Sequence, residues 1–217
     1  KWNDPSVGRM CGGCFLLADE TGSGKTRQVI DAAQILFTQG HIKRMIIIAP
    51  GAVRSVYADQ ELGELAKHLW LDLPTTVTEY HSRTTTWVWA TEGRDDPRFD
   101  IIISNYEYIR SEARLAELMP FAGKHTLLVL DESAMIKNWQ SQQTRSMRKL
   151  RNKCGRIWEI NGTPVVDKPK DLFAQANLMD PGILGITSMS KFMQTFAVMG
   201  GYMVTRYGVR SDARRDG

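Results

Sequence analysis

Two short stretches of this chain hold residue types suited to work on phosphate. The first, Thr21-Gly22-Ser23-Gly24-Lys25-Thr26, follows the apolar run Phe15-Leu16-Leu17-Ala18 and leads into the helix-like Arg27-Gln28-Val29-Ile30. In that order of strand, glycine loop and helix, the glycines let main-chain N–H groups approach phosphate oxygens and the helix start adds positive potential. Lys25 can then reach the outer phosphates, and Thr26 can ligate magnesium. The strict phosphate-loop pattern asks for a glycine where this chain has Asp19. The second stretch, Thr126-Leu127-Leu128-Val129-Leu130-Asp131-Glu132, is an apolar strand ending in two acids. Open α/β sheets bind ligands beyond the carboxyl ends of their strands. Asp131 is therefore expected to hold magnesium, directly or through water, and Glu132 to polarise the attacking water. Two acids after a strand could also be an ordinary helix start favoured by the dipole, but beside Lys25 the chemical reading takes precedence.

Other chemistries find less support. No G-x-G-x-x-G with an acid downstream follows a strand, which sets hydride transfer aside. Asp131-Glu132-Ser133-Ala134 and Asn152-Lys153-Cys154-Gly155 lack the residues with which small GTPases read their nucleotide. Cys11-Gly12-Gly13-Cys14 supplies two of the four ligands of a structural zinc and reads better as a turn with a small buried residue. His41, His68, His81 and His125 are scattered, with no nucleophile setting. Trp87 and Trp89 could stack bases, but without a basic frame they read as aromatics packed on the domain.

The elements that must position the two stretches follow from the apolar pattern. Phe15–Ala18, Met45–Ala49, Thr75–Tyr80, Phe99–Ser104, Thr126–Leu130 and Arg156–Ile160 are expected strands. Several are apolar throughout, as in parallel sheets covered on both faces. Lys25–Thr38, Arg54–Leu69, Tyr106–Leu118 and Ser141–Lys153 are expected helices, long enough to serve as crossovers. The fold class is α/β in three layers, with a mainly parallel central sheet flanked by helices. His81–Arg98 shows no sustained period and is expected to be an insertion or surface loop. From residue 182 onward the chain reads as a linker or the start of a second part.

The 217 residues, 42% hydrophobic, suffice for one domain core. The net charge of +4 is mildly attractive to polyanions. Three cysteines without a secretory segment suit a reducing, intracellular compartment. No apolar run approaches the roughly 20 residues that span a bilayer, so no membrane partner is expected. The chain starts on Lys1 and is read as part of a longer polypeptide.

Taken together, the stretches resemble the motifs of superfamily 2 helicases, and in particular the Snf2-like DNA translocases. Leu17 to Gln28 is similar to motif I, a setting in which Asp19 has a precedent. Ile47-Ile48-Ala49-Pro50 is similar to motif Ia, Phe99 to Glu107 to motif Ib, and Leu130-Asp131-Glu132-Ser133 with Ile136-Lys137-Asn138 to motif II. Asn161-Gly162-Thr163-Pro164 is similar to motif III, with a sequel running to Asp180-Pro181.

The resemblance implies a RecA-like P-loop lobe over residues 1–181 that uses ATP and Mg2+. In it Thr21, Gly22, Ser23, Gly24, Lys25 and Thr26 bind nucleotide, Thr26 and Asp131 hold the metal, and Glu132, Asp131 and Lys25 carry the catalysis. Gly162 and Thr163 would couple nucleotide state to the track. Pro50, Gly51, Arg54, Ser104, Asn105 and Tyr106 would line the backbone of double-stranded DNA, although Tyr106 reads equally well as a core aromatic.

Three departures from the pattern stand out. Ala134 replaces the histidine of motif II, Asn161 replaces a serine or threonine in motif III, and the second RecA-like lobe with its arginines is not visible. Turnover by this lobe alone is expected to be weak. An RNA helicase, a restriction-type translocase lobe and a non-catalytic nucleotide or DNA docking module remain the alternatives. Nucleus, nucleoid and infected-cell cytoplasm are all open as compartments.

Overall fold

Seven extended segments rich in β-branched and aliphatic residues line up into one sheet, and the helices between them cover both faces. These features come from a computed structural model describing residues 13–81, 84–90, 98–136, 138, 140–162, 169–186, 188–196, 202–205 and 208–211. In chain order the elements are β1 (Cys14–Leu17), α1 (Lys25–Thr38), β2 (Arg44–Ala49), α2 (Gly51–Ala58), α3 (Glu64–His68), β3 (Thr75–His81), β4 (Thr84–Ala90) and β5 (Phe99–Asn105). Then come α4 (Glu112–Leu118), β6 (Thr126–Asp131), α5 (Gln142–Arg151), β7 (Arg156–Ile160), α6 (Pro169–Met179), α7 (Met189–Phe196), β8 (Tyr202–Thr205) and β9 (Gly208–Ser211).

The sheet order is β1-β7-β6-β2-β5-β3-β4, and every pairing is parallel except β3 with β4. The expected mainly parallel three-layer α/β fold is the one observed. Side chains alternate faces along each strand. Met45, Ile47, Ile101, Ile103, Leu127 and Val129 therefore pack under α1, α2 and α3, with Val29, Ile30, Tyr57 and Leu65 opposite them. On the other face Ile46, Ile48, Ile102, Leu128 and Leu130 meet Leu115 and Leu118 of α4, Met147 and Leu150 of α5, and Leu178 of α6. The all-apolar reading of β2 and β6 reflects this double coverage.

Three sequence expectations need correction. The segment His81–Arg98 contains a strand, β4, paired antiparallel to β3 from His81↔Thr84 to Thr76↔Ala90. Its run Thr84-Thr85-Thr86-Trp87-Val88-Trp89 is β-branched and aromatic, which suits an extended backbone even without a clear period. The single helix expected over Arg54–Leu69 is two helices. Asp59 breaks it, because its Oδ1 accepts the main-chain N–H groups of Glu61 and Leu62 at 2.9 and 2.7 Å and closes a turn. The helix expected from Tyr106 begins at Glu112, after a 3-10 turn over Tyr108–Arg110.

Beyond Pro181, α7 lays Phe192 against Phe173 of α6 with ring centroids 5.1 Å apart, and β8 and β9 form a separate two-stranded sheet. Among the described residues no helix is long and apolar enough to cross a membrane.

Candidate nucleotide site

β1, β2, β5, β6 and β7 end together along one edge of the sheet, and the loops that follow β1, β6 and β7 converge there. The loop after β1 is shaped by Gly22 and Gly24 at φ 84° and 79°, a left-handed backbone that glycine adopts without a Cβ penalty. Gly24 caps α1, whose first-turn amides face the loop. Lys25 Nζ donates to the main-chain oxygens of Asp19 and Glu20 at 2.7 and 2.6 Å, so the loop is closed over its own ammonium. A phosphate offers that ammonium a charged acceptor in place of two carbonyls.

β6 delivers the acids. Its last residue, Asp131, is held at three points. Its Oδ2 accepts from the Tyr57 hydroxyl at 2.8 Å, its Oδ1 from the Glu132 N–H at 2.9 Å, and its main-chain oxygen from the Tyr106 hydroxyl at 2.8 Å. Burial raises the Asp131 carboxyl above its ordinary range, while the Tyr57 and Glu132 hydrogen bonds and the nearby Lys25 charge pull it back. The Tyr57 and Tyr106 hydroxyls lie well above the usual phenol range, first through burial and then through neighbouring carboxylates, so both remain donors.

Glu132 sits at φ 51° and ψ 53°, the single non-glycine residue with positive φ among those described. Such a conformation costs of order 1–3 kcal/mol and persists only where the surroundings impose it. Here the turn over Ser133–Met135, with Met135 N–H on the Glu132 carbonyl at 2.9 Å, keeps the Glu132 side chain exposed at the cleft.

Thr21, Gly22, Gly24, Lys25, Thr26, Asp131, Glu132 and Gly162 line one cleft of about 420 Å³, with Glu64 and His68 of α3 on its rim. Ser23 lies in the same loop, its N–H on the Glu20 carbonyl at 3.3 Å. Gly162, just past β7, presses against the loop: a Cβ there would lie 3.0 Å from Thr21 Oγ1 and 4.0 Å from Lys25 Nζ. Thr163 falls outside the described residues.

No cluster of three His, Cys, Asp or Glu able to hold a metal exists among the described residues. Thr26 and Asp131 supply one hydroxyl and one carboxylate across the cleft. That set fits magnesium, which takes one or two protein ligands and completes its shell with water and phosphate oxygens. It does not suit a metal held by protein alone.

Sequence reasoning missed three residues. Tyr57 carries the hydroxyl on Asp131. Gln175 of α6 accepts from Ser133 Oγ at 3.2 Å and from Asn161 Nδ2 at 3.4 Å, joining the turn after β6 to the end of β7, a link that Ala134 cannot make. Glu159 of β7 is fully buried, and burial pushes its carboxyl up to about 8. The Ser133 hydroxyl approaches Glu159 and pulls the other way, but gives its proton to Gln175. A glutamate between Trp158 and Ile160 in the strand Arg156–Ile160 is itself a signal; the other two carry none.

The six residues expected along nucleic acid divide. Pro50 caps α2, and a Cβ on Gly51 would lie 3.5 Å from Glu107 Oε2 and 3.7 Å from Asn105 Nδ2, so Pro50, Gly51 and Asn105 share one partly exposed patch. Arg54 points away from that patch to Glu79 of β3, Nη1 to Oε1 2.5 Å. Ser104 and Tyr106 are fully buried, the first donating to the Tyr80 carbonyl at 3.0 Å and the second to Asp131. Their side chains have no surface from which to touch a polyanion, which corrects that expectation. Cys14 is partly rather than fully buried and donates to the Met179 carbonyl at 3.1 Å, and Cys11 lies outside the described residues.

Comparison with known proteins bears on this geometry. The family model of the SNF2-related domain matches residues 6–203. The chain is 28% identical over 201 residues to the DNA repair and recombination protein RAD54B of Mus musculus, across 88% of this chain and 20% of that protein. It is 28% identical over 180 residues to the CHD3-type chromatin-remodeling factor CHR7 of Arabidopsis thaliana, across 82% and 14%. The Sulfolobus solfataricus SWI2/SNF2 ATPase core in complex with dsDNA is similar in structure, with a TM-score of 0.62 and 25% identity over 86% of this chain and 35% of that one. The chain thus spans a fifth or less of the length of these two curated relatives.

Proposed function

This chain belongs to the SNF2-related domain family, and from that premise we propose that it is the nucleotide-binding, RecA-like lobe of an ATP-driven motor that moves on double-stranded DNA. One observation carries the reading: the glycine loop with Lys25 and Thr26 faces Asp131 and Glu132 across a single cleft. A docking module that never hydrolyses nucleotide has no use for an exposed carboxylate held in a strained turn beside a partly buried one.

In this mechanism the loop amides and the start of α1 cradle the phosphates of ATP. Lys25 leaves the Asp19 and Glu20 carbonyls for the outer phosphate oxygens. Thr26 and Asp131 would hold magnesium, which supplies charge neutralisation on the phosphates when bound. Glu132 orients water for in-line attack on the γ-phosphorus and takes the proton that the water gives up as its oxygen bonds to phosphorus. The bond from that phosphorus to the bridging oxygen breaks, and the electron pair leaves with ADP. Gly162 touches the loop directly and is placed to sense whether phosphate fills it, with Thr163 as its proposed partner in coupling. A second lobe in the longer protein supplies the arginines that such transfers use, worth about 10³–10⁵ in rate.

Duplex DNA as the track is supported by the dsDNA in the SWI2/SNF2 core complex and by the repair and chromatin roles in the relatives' names. Pro50, Gly51 and Asn105 offer the sequence-blind backbone contact, through a helix start and an amide. The proposed compartment is the one that holds the cell's DNA.

ATP turnover by the full-length protein, with duplex DNA, duplex RNA or neither, tests the reading beside Glu132→Gln. DNA should raise turnover well above the other two conditions. Glu132→Gln should lower it by at least about 10²-fold while nucleotide still binds. Binding without hydrolysis in the wild type would make the lobe a docking module, and stimulation by RNA alone would move it to the RNA helicases.

A further inference from the structure

Tyr57 belongs to α2, the helix that starts at Pro50 and Gly51, yet its hydroxyl ends inside the nucleotide site. Its ring is 2% exposed and packs in the core between α2 and the sheet, so the hydroxyl has little freedom of aim. It donates to Asp131 Oδ2 at 2.8 Å, and Thr26 lies close enough to the same hydroxyl to pull against its raised pKa. One phenol thus holds the carboxylate, and stands beside the hydroxyl, best suited to a magnesium ion. The other Asp131 oxygen is already taken by the Glu132 N–H, so the two bonds together fix the plane of the carboxylate.

We propose that Tyr57 is a positioning residue for the metal carboxylate, holding Asp131 in place beside Thr26 so that it faces the phosphates before magnesium and nucleotide arrive. The proposal rests on the reading of Thr26 and Asp131 as the magnesium ligands. Tyr57 touches neither the reacting atoms nor the phosphates. Its contribution is preorganisation: without the hydroxyl, Asp131 Oδ2 loses its side-chain donor, and the carboxylate can rotate away from Thr26.

The test is the affinity for ATP of the full chain and of Tyr57→Phe, each measured in saturating Mg2+ and in EDTA, with thermal melting alongside. Tyr57→Phe keeps the ring and removes only the hydroxyl. The expected result is equal affinity in EDTA, about three- to tenfold weaker affinity in Mg2+, the equivalent of one lost hydrogen bond, and a higher Mg2+ midpoint. In an Asp131→Asn background the same change should have no further effect on the Mg2+-dependent part. Equal losses in EDTA and Mg2+, or no loss in either, would overturn the proposal and leave Tyr57 a packing residue. If the wild type itself gains nothing from Mg2+, the ligand reading of Thr26 and Asp131 falls, and the role of Tyr57 falls with it.

Discussion

The Glu159 carboxyl is enclosed on the face of the sheet that meets α4, α5 and α6, and neither of its oxygens has a hydrogen-bond partner among the described residues. Burial without a partner favours the neutral form. Its pKa of about 8 lies above the ordinary 4.5, so the folded chain keeps a proton that the unfolded chain has lost. Stability from this group is therefore full below about pH 4.5 and is lost progressively as pH rises towards about 8. Glu159→Gln keeps the shape and removes the titration, so the melting temperature of the wild type should fall relative to the variant across that window. Parallel melting curves would show the carboxyl to be charged in the fold. At this scale the sequence was most legible where chemistry demands adjacency: Lys25 with Thr26, and Asp131 with Glu132, each occupy the cleft. Tyr57 and Gln175 act across the sheet, between residues that no local spacing links. Ser104 and Tyr106 misled because a hydroxyl reads the same whether it meets solvent or a buried carbonyl.

Among the elements, the end of β7 comes close to the phosphate loop at Gly162. Gly162→Ala would place a methyl 3.0 Å from Thr21 Oγ1, closer than ordinary contact, and the loop rather than the sheet must give way. ATP affinity should fall several-fold while the melting temperature stays within a few degrees of the wild type; calorimetric titration and thermal denaturation separate the two, and unchanged affinity would remove Gly162 from the site. The six strands with apolar or alternating patterns were legible, because burial on both faces keeps most of their positions apolar. The break between α2 and α3 was not, since it depends on one Asp59 oxygen turning back to two amides rather than on any loss of apolar period. The strand β4 was hidden for the opposite reason: its residues favour an extended backbone, but as an antiparallel edge strand it need not be apolar on both faces.

For the molecule as a whole, the site is assembled from parts that the chain supplies far apart, the loop after β1 and the acids after β6, on one edge of a sheet. Those two strands are not equally supported. β6 is flanked by β2 and β7, whereas β1, among the described residues, stands at the end of the sheet and is joined to β7 alone over four residue pairs. The phosphate loop thus hangs from the sheet's margin while the acids stand on its keel. Opening of a native protein starts where backbone bonds are fewest and closest to solvent. In deuterated water the amides of Cys14–Leu17 should exchange well before those of Thr126–Leu130, and ATP should slow the first group while hardly altering the second; equal rates in both strands would refute this. Nucleotide, on this view, is a fastener as well as a fuel: it staples the frayed margin of the sheet to its centre at each binding event and releases it when phosphate departs.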